Sequence, residues 1–123
     1  MGSVFVSYGK RIWVFPDAEL PPKGVNLIPG HESVIVTNVG DEPAEIKITL
    51  LYTNREPESF LVHVEARRVR CLRTNEKEDF GTYVPVEGEQ YAILLESNVP
   101  VVAQYGRAEP RTVNFYTTPG YSE

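Results

Sequence analysis

Residues 33–54 read SVIVTNVGDEPAEIKITLLYTN. A short apolar run, Val34-Ile35-Val36, meets a turn cluster, Asn38-Val39-Gly40-Asp41-Glu42-Pro43. Alternation follows: Ala44, Ile46, Ile48, Leu50 and Tyr52 fall on one side, and Glu45, Lys47, Thr49 and Thr53 on the other. In an extended chain successive side chains point to opposite faces, so this segment reads as a strand with one buried face. Two strands about a compact polar turn predict a hairpin, and with it an antiparallel sheet.

The same pattern recurs outward from this stretch. Arg11-Ile12-Trp13-Val14-Phe15 is β-branched and aromatic, and Pro16 is expected to stop it. Residues 16–30 hold four prolines and two glycines and read as a loop. Phe60, Val62, Val64 and Ala66 alternate with Leu61, His63 and Glu65. Residues 68–73 either continue that strand after a kink or begin a new one. Glu76-Lys77-Glu78-Asp79 reads as a solvated charged loop. Tyr91, Ile93 and Leu95 alternate with their neighbours, and Val99, Val101 and Ala103 follow after an expected turn at Ser97-Asn98. Pro100 has no amide donor, which assigns this last strand to an edge or a bulge. Asn114-Phe115-Tyr116 adds a short strand. No stretch of ten residues shows helical periodicity. Seven or eight short strands with turns between them predict an all-β chain, an antiparallel β-sandwich.

The 123 residues amount to one domain, with residues 109–123 as a mobile tail or a segment packed across an interface. A net charge of -5 argues against a generally basic surface for nucleic acid. The single cysteine, Cys71, excludes an internal disulfide and a Cys-only zinc site. Its strand context makes it a small buried hydrophobe. No apolar run approaches the roughly 20 residues that span a bilayer, and residues 1–8 lack a secretory signal pattern. The expected location is the cytoplasm.

Several constellations carry possible chemistry. His31 and Glu32 are adjacent on a strand and face opposite ways, so they chelate one ion poorly, and a turn hydrogen bond from His31 is the favoured role. Arg67, Arg68, Arg70 and Arg73 are the densest basic group, suited to an anion through their guanidinium forks. Alternation would split them, with Arg68 and Arg70 on one face and Arg67 and Arg73 on the other. A charged strand face is therefore the favoured reading. Trp13 and the seven tyrosines could stack on sugar rings, with Glu19, Asn26 and Gln104 binding hydroxyls, although core or interface packing is favoured. The carboxylate pairs Asp41-Glu42 and Glu78-Asp79 lie in turns and are expected to be exposed and ionised. No nucleophile elbow, phosphate-cradling glycine loop or paired-cysteine metal motif occurs. The chain is expected to be no enzyme, with no cofactor and no metal.

Trp13 before a proline-rich loop is followed by Gly30-His31-Glu32, Asn38-x-Gly40-Asp41-x-x-Ala44-x-Ile46-x-Ile48 and Tyr52. Glu56-Pro57, Val64-x-Ala66-Arg67-Arg68, Ser97-Asn98-Val99-Pro100-x-Val102-x-Gln104 and Arg107 complete the series. In this order and spacing the chain resembles the sensory rhodopsin transducer family over residues 9–107. After Arg107 it departs from the family pattern, with Ala108-Glu109-Pro110-Arg111. The resemblance implies a β-sandwich, a homotetramer, and a role in signalling or small-molecule binding. A sugar-like small ligand and a membrane receptor are the partners it suggests. The matching positions with polar or aromatic chemistry are Trp13, His31, Glu32, Arg67, Arg68, Gln104 and Arg107, and these are the candidate ligand-binding residues. Two readings follow. One is an oligomeric module that binds a small polar ligand and signals through a partner. The other is a scaffold for a membrane or nucleic-acid partner with no small ligand.

Overall fold

In a computed structural model, residues 8–25, 27–109, 114–118 (backbone) and 120–123 are described. Asn26 and residues 1–7 fall outside this set. Among the described residues there are eight strands: β1 (Lys10–Glu19), β2 (His31–Asn38), β3 (Ala44–Tyr52), β4 (Glu58–Val64), β5 (Arg68–Arg73), β6 (Gln90–Glu109), β7 (Asn114–Thr118) and β8 (Tyr121–Ser122). One short helix, α1 (Lys77–Phe80), and a 3-10 turn, Gly81–Tyr83, lie between β5 and β6. Every strand pairing is antiparallel.

The strands form two layers, in the order β4-β3-β6-β1-β8 and β5-β2-β6-β7. β6 belongs to both. Its residues up to Val101 pair with β1 and β3, and from Val102 onward it pairs with β2 and β7. The expected turn at Ser97-Asn98 does not exist, because the strand runs through it for 20 residues. Pro100 sits where β6 passes between the layers. There Lys10 pairs with Val101 and Ile12 with Glu96, so a large bulge lies opposite Arg11. A residue with no amide donor fits where ladder bonds lapse. Asn98 supports the bulge, its carbonyl accepting from the Arg11 guanidinium at 2.9 Å and its Oδ1 from the Glu45 N–H at 2.7 Å. Pro16 likewise does not end β1. A second register shift between Phe15 and Ala18 absorbs it, and the strand continues to Glu19.

The stretch 33–54 corrects the simplest expectation. β2 and β3 do not pair with each other: β2 pairs with β5 and β6, and β3 with β4 and β6. Residues 39–43 are a corner between the layers, not a hairpin turn. Alternation reports which side chains face inward, and it is silent on which backbone lies alongside. The hairpin is β3–β4, and its two arms fold over together, so β5 returns beside β2 as a new strand. Buried Asn38 fixes the fold-over. Its Nδ2 donates to the carbonyls of Glu42 (2.8 Å) and Val64 (3.1 Å), and its Oδ1 accepts from the Gly40 N–H at 3.0 Å. One side chain thus closes its own turn and ties it to the neighbouring corner.

The core lies between the layers. Ala44, Ile46, Ile48 and Leu50 of β3 are buried as their alternation predicts. Val34, Val36, Val62, Val64, Leu72, Ile93, Leu95 and Val101 meet them. Leu72 sets the phase of β5, so Cys71 is exposed and not a buried hydrophobe. The segment from Glu76 is not wholly solvated either. Asp79 accepts from the Arg73 N–H at 2.8 Å and lies 3.7 Å from Arg70 Nη2, while Phe80 is buried edge-on against Phe60 at 5.0 Å.

Asn38→Ala removes three hydrogen bonds at a buried corner and leaves the Val64 carbonyl in need of a donor. Each such loss costs about 1 kcal/mol, more where a buried group is orphaned. Urea titration of Asn38→Ala is expected to show a loss of roughly 2–4 kcal/mol. A change under 0.5 kcal/mol, the size of an ordinary surface substitution, would contradict the pinning role.

Candidate functional site

Among the described residues, the one carboxyl group wholly inside the sandwich is that of Glu32, with no exposed surface. β2 alternates with an inward face of Glu32, Val34, Val36 and Asn38, so periodicity alone puts this residue in the core. Burying a carboxylate is costly unless donors replace water. Here Oε2 accepts from the Glu19 N–H at 3.0 Å, and Oε1 accepts from Thr74 Oγ1 at 3.0 Å and Tyr91 OH at 2.6 Å. Tyr105 OH donates a short hydrogen bond to Oε2. A carboxylate offers about four acceptor sites, so the four donors fill them. They come from the end of β1, the residue after β5, and both halves of β6. Arg107 faces Glu32 across the β2–β6 ladder and donates from Nη1 to the Glu19 carbonyl at 3.3 Å.

Both phenols respond to this setting. Burial first, and then the Glu32 carboxyl, push Tyr91 and Tyr105 well above their ordinary value. Tyr105 also stacks on Phe15 at 6.2 Å, and Phe15 on Trp13 at 6.3 Å. The Trp13 ring is only 8% exposed, and its Nε1–H is shared between the carbonyls of Lys10 (3.1 Å) and Val101 (3.2 Å). Trp13 therefore braces the bulge from inside, and its faces are not open to a sugar ring.

The candidate residues fall in four places. Glu32 and Arg107 come together at the internal cluster. Trp13 is in the core. His31 and Gln104 lie on the outer face of the second layer; His31 Nδ1–H donates to the Pro29 carbonyl at 2.8 Å, the turn bond expected for it. Arg67 and Arg68 lie at the β4–β5 corner, near the far end of β2. Arg67 is not on the strand. Its φ of 60° is left-handed, so strand alternation does not apply to it. Thr74, Tyr91 and Tyr105 escaped sequence reading, because a threonine or tyrosine on a buried strand face looks like packing until its hydroxyl is located. Among the described residues no group of three or more His, Cys, Asp or Glu side chains could hold a metal ion.

At the corner, a depression of about 320 Å³ is lined by Thr37, Asn38, Val39, Arg67, Arg68 and Val69. Arg67 Nη1 donates to the Val39 carbonyl at 2.9 Å, and Arg68 Nη1 to the Arg67 carbonyl at 3.1 Å. Both guanidinium groups are at the surface.

Two outcomes follow for the internal cluster. Glu32→Ala leaves four donors without their acceptor and is expected to cost at least about 3 kcal/mol in chemical denaturation. For the tyrosines, the folded state favours the neutral phenol. Their contribution is complete below the ordinary phenol value of about 10 and is lost as pH rises above it toward the higher folded values, by up to about 1.4 kcal/mol per pH unit for each group. Melting temperatures should fall steeply beyond that pH. Tyr91→Phe should be less stable at neutral pH and show a shallower alkaline fall; an unchanged slope would remove Tyr91 from this role.

The sequence model described as Anabaena sensory rhodopsin transducer matches residues 8–121. A solved structure from Thermotoga maritima, titled Thermotoga maritima 1070, is similar with a TM-score of 0.80 and 34% identity, covering 94% of this chain and 96% of that one. The structure of the Anabaena sensory rhodopsin transducer is similar with a TM-score of 0.69 and 30% identity, covering 82% of this chain and 91% of that one. No curated protein matches. With the family pattern spanning nearly the whole sandwich, this chain belongs to the sensory rhodopsin transducer family.

Proposed function

We propose that this protein is a non-catalytic, oligomeric binding and signalling module that recognises a sugar-like small polar ligand at its surface. The observation that carries this reading is the closure of the interior. The internal carboxyl group of Glu32 has its acceptor sites filled by four donors, and the neighbouring aromatics are packed. Recognition then belongs to the outside of the sandwich, where a partner is met. Membership in a family named for transduction supports a relay role. The similar Anabaena structure is named as a transducer of a sensory rhodopsin, and a membrane receptor is the corresponding partner class for this chain.

A homotetramer forms part of the same reading. Val69 (63% exposed) and Val102 (43%) flank Thr37 in one row across β5, β2 and β6, next to half-buried Ile35. Such an apolar row on an open sheet face suits a subunit contact. No helix among the described residues is long and apolar enough to cross a membrane. The exposed thiol of Cys71 suits a reducing compartment, and we assign the cytoplasm.

The test joins mass to binding. Light scattering of the purified protein is expected to give four chains per particle, and Val69→Lys with Val102→Lys is expected to dissociate them. A melting-temperature screen against sugars is expected to find a compound that stabilises the native state by mass action and is recovered chemically unchanged. A monomer at micromolar concentration, or turnover of the bound sugar, would refute the reading.

A further inference from the structure

We infer that the β4–β5 corner is an oxyanion-binding site for a small organic ligand bearing a phosphate or carboxylate group, held by Arg67 and Arg68. This deepens the binding-module reading and rests on it. In an extended strand two consecutive arginines point to opposite faces. Here the left-handed φ of Arg67 interrupts the strand, and both residues line the same depression. That conformation is rare for a long side chain and usual for glycine. Positions of this kind cluster at functional sites.

The two guanidinium groups are also pre-positioned. Each has one N–H fixed by a backbone carbonyl, Val39 for Arg67 and the Arg67 carbonyl itself for Arg68. Each guanidinium carries five donors, so several remain for a ligand. Two other arginines are paired with acids, Arg55 with Glu58 and Glu89, and Arg70 with Asp79. Among the described residues no carboxylate reaches ion-pairing distance of Arg67 or Arg68. In a chain with 17 acidic and 12 basic residues, two adjacent arginines outside any ion pair are a local excess of positive charge.

The chemistry of the walls narrows the ligand. Two planar forks suit bidentate oxyanions. Thr37 and Val69, which also border the proposed subunit contact, add a polar and an apolar wall, and Val39 adds a second apolar one. A volume of about 320 Å³ matches a compound the size of a hexose derivative and not a polymer groove. Asn38 is committed to the corner through its three hydrogen bonds, so the arginines carry the recognition.

Titration calorimetry of the full chain with glucose phosphate, glucuronate and glucose tests the site. Saturable binding of glucose phosphate or glucuronate that weakens with added salt is expected, and the tighter of the two identifies phosphate or carboxylate as the source. Arg68→Gln and Arg67→Asn, the latter chosen because asparagine tolerates the left-handed backbone, are each expected to weaken it about tenfold or more. Circular dichroism of each variant, matching that of the unmodified protein, shows that the fold is kept. If one variant fails to fold, the other decides. Absence of binding by both anions, or binding that folded variants leave unchanged, overturns the site. Glucose binding as tightly as either anion also overturns it, while leaving the neutral-sugar module standing.

Discussion

A carboxyl group placed in an apolar interior must be surrounded by donors, and Glu32 imposes that requirement on the whole sandwich. To meet it, the end of β1 must present a backbone N–H, the residue after β5 a hydroxyl, and both halves of β6 a phenol. Those donors lie 13 to 73 residues away in sequence. The cluster can form only when both layers are in register. Apolar side chains alone tolerate small slips, but a hydrogen-bonded carboxyl does not, so the cluster specifies one arrangement among many compact ones. Arg107 adds to this by bonding the Glu19 carbonyl next to the N–H that Glu32 accepts from.

The sequence disclosed faces better than partners. Alternation in residues 44–50 and 91–95 located the buried side chains, because the pleat repeats every two residues regardless of neighbours. It could not show that β2 and β3 belong to different layers, since a corner and a hairpin turn use the same Asn, Gly, Asp and Pro residues. Pro16 was over-read as the end of a strand, whereas Pro100 was read correctly as the mark of an edge or a bulge. Pro16 and Pro100 both lie within strands, at register shifts where a missing amide costs nothing. Cys71 was misplaced by one step of phase, which only the burial of Leu72 resolves.

Site chemistry was less legible still. Glu32 and Arg107 could be named as polar matches, and they do come together, but their partnership depends on tyrosine hydroxyls that look apolar in a pattern reading. Arg67 and Arg68 were expected to diverge. They converge because of one backbone dihedral, and no composition or spacing rule reports a left-handed arginine. Trp13, the obvious stacking residue, is spent on bracing the bulge.

The long strand β6 has a consequence for how the chain acquires its shape. It is the centre of both layers, so β1, β2 and β3 wait for a segment as much as 91 residues later before either sheet can close. On a ribosome, the first three strands emerge with unpaired edges and no template. Loop closure must precede any reward from pairing, which makes such topologies slow folders. Unpaired edges are also where chains stick to one another. Synthesis of residues 90–109 is thus the moment at which a vulnerable nascent chain can become a closed sandwich.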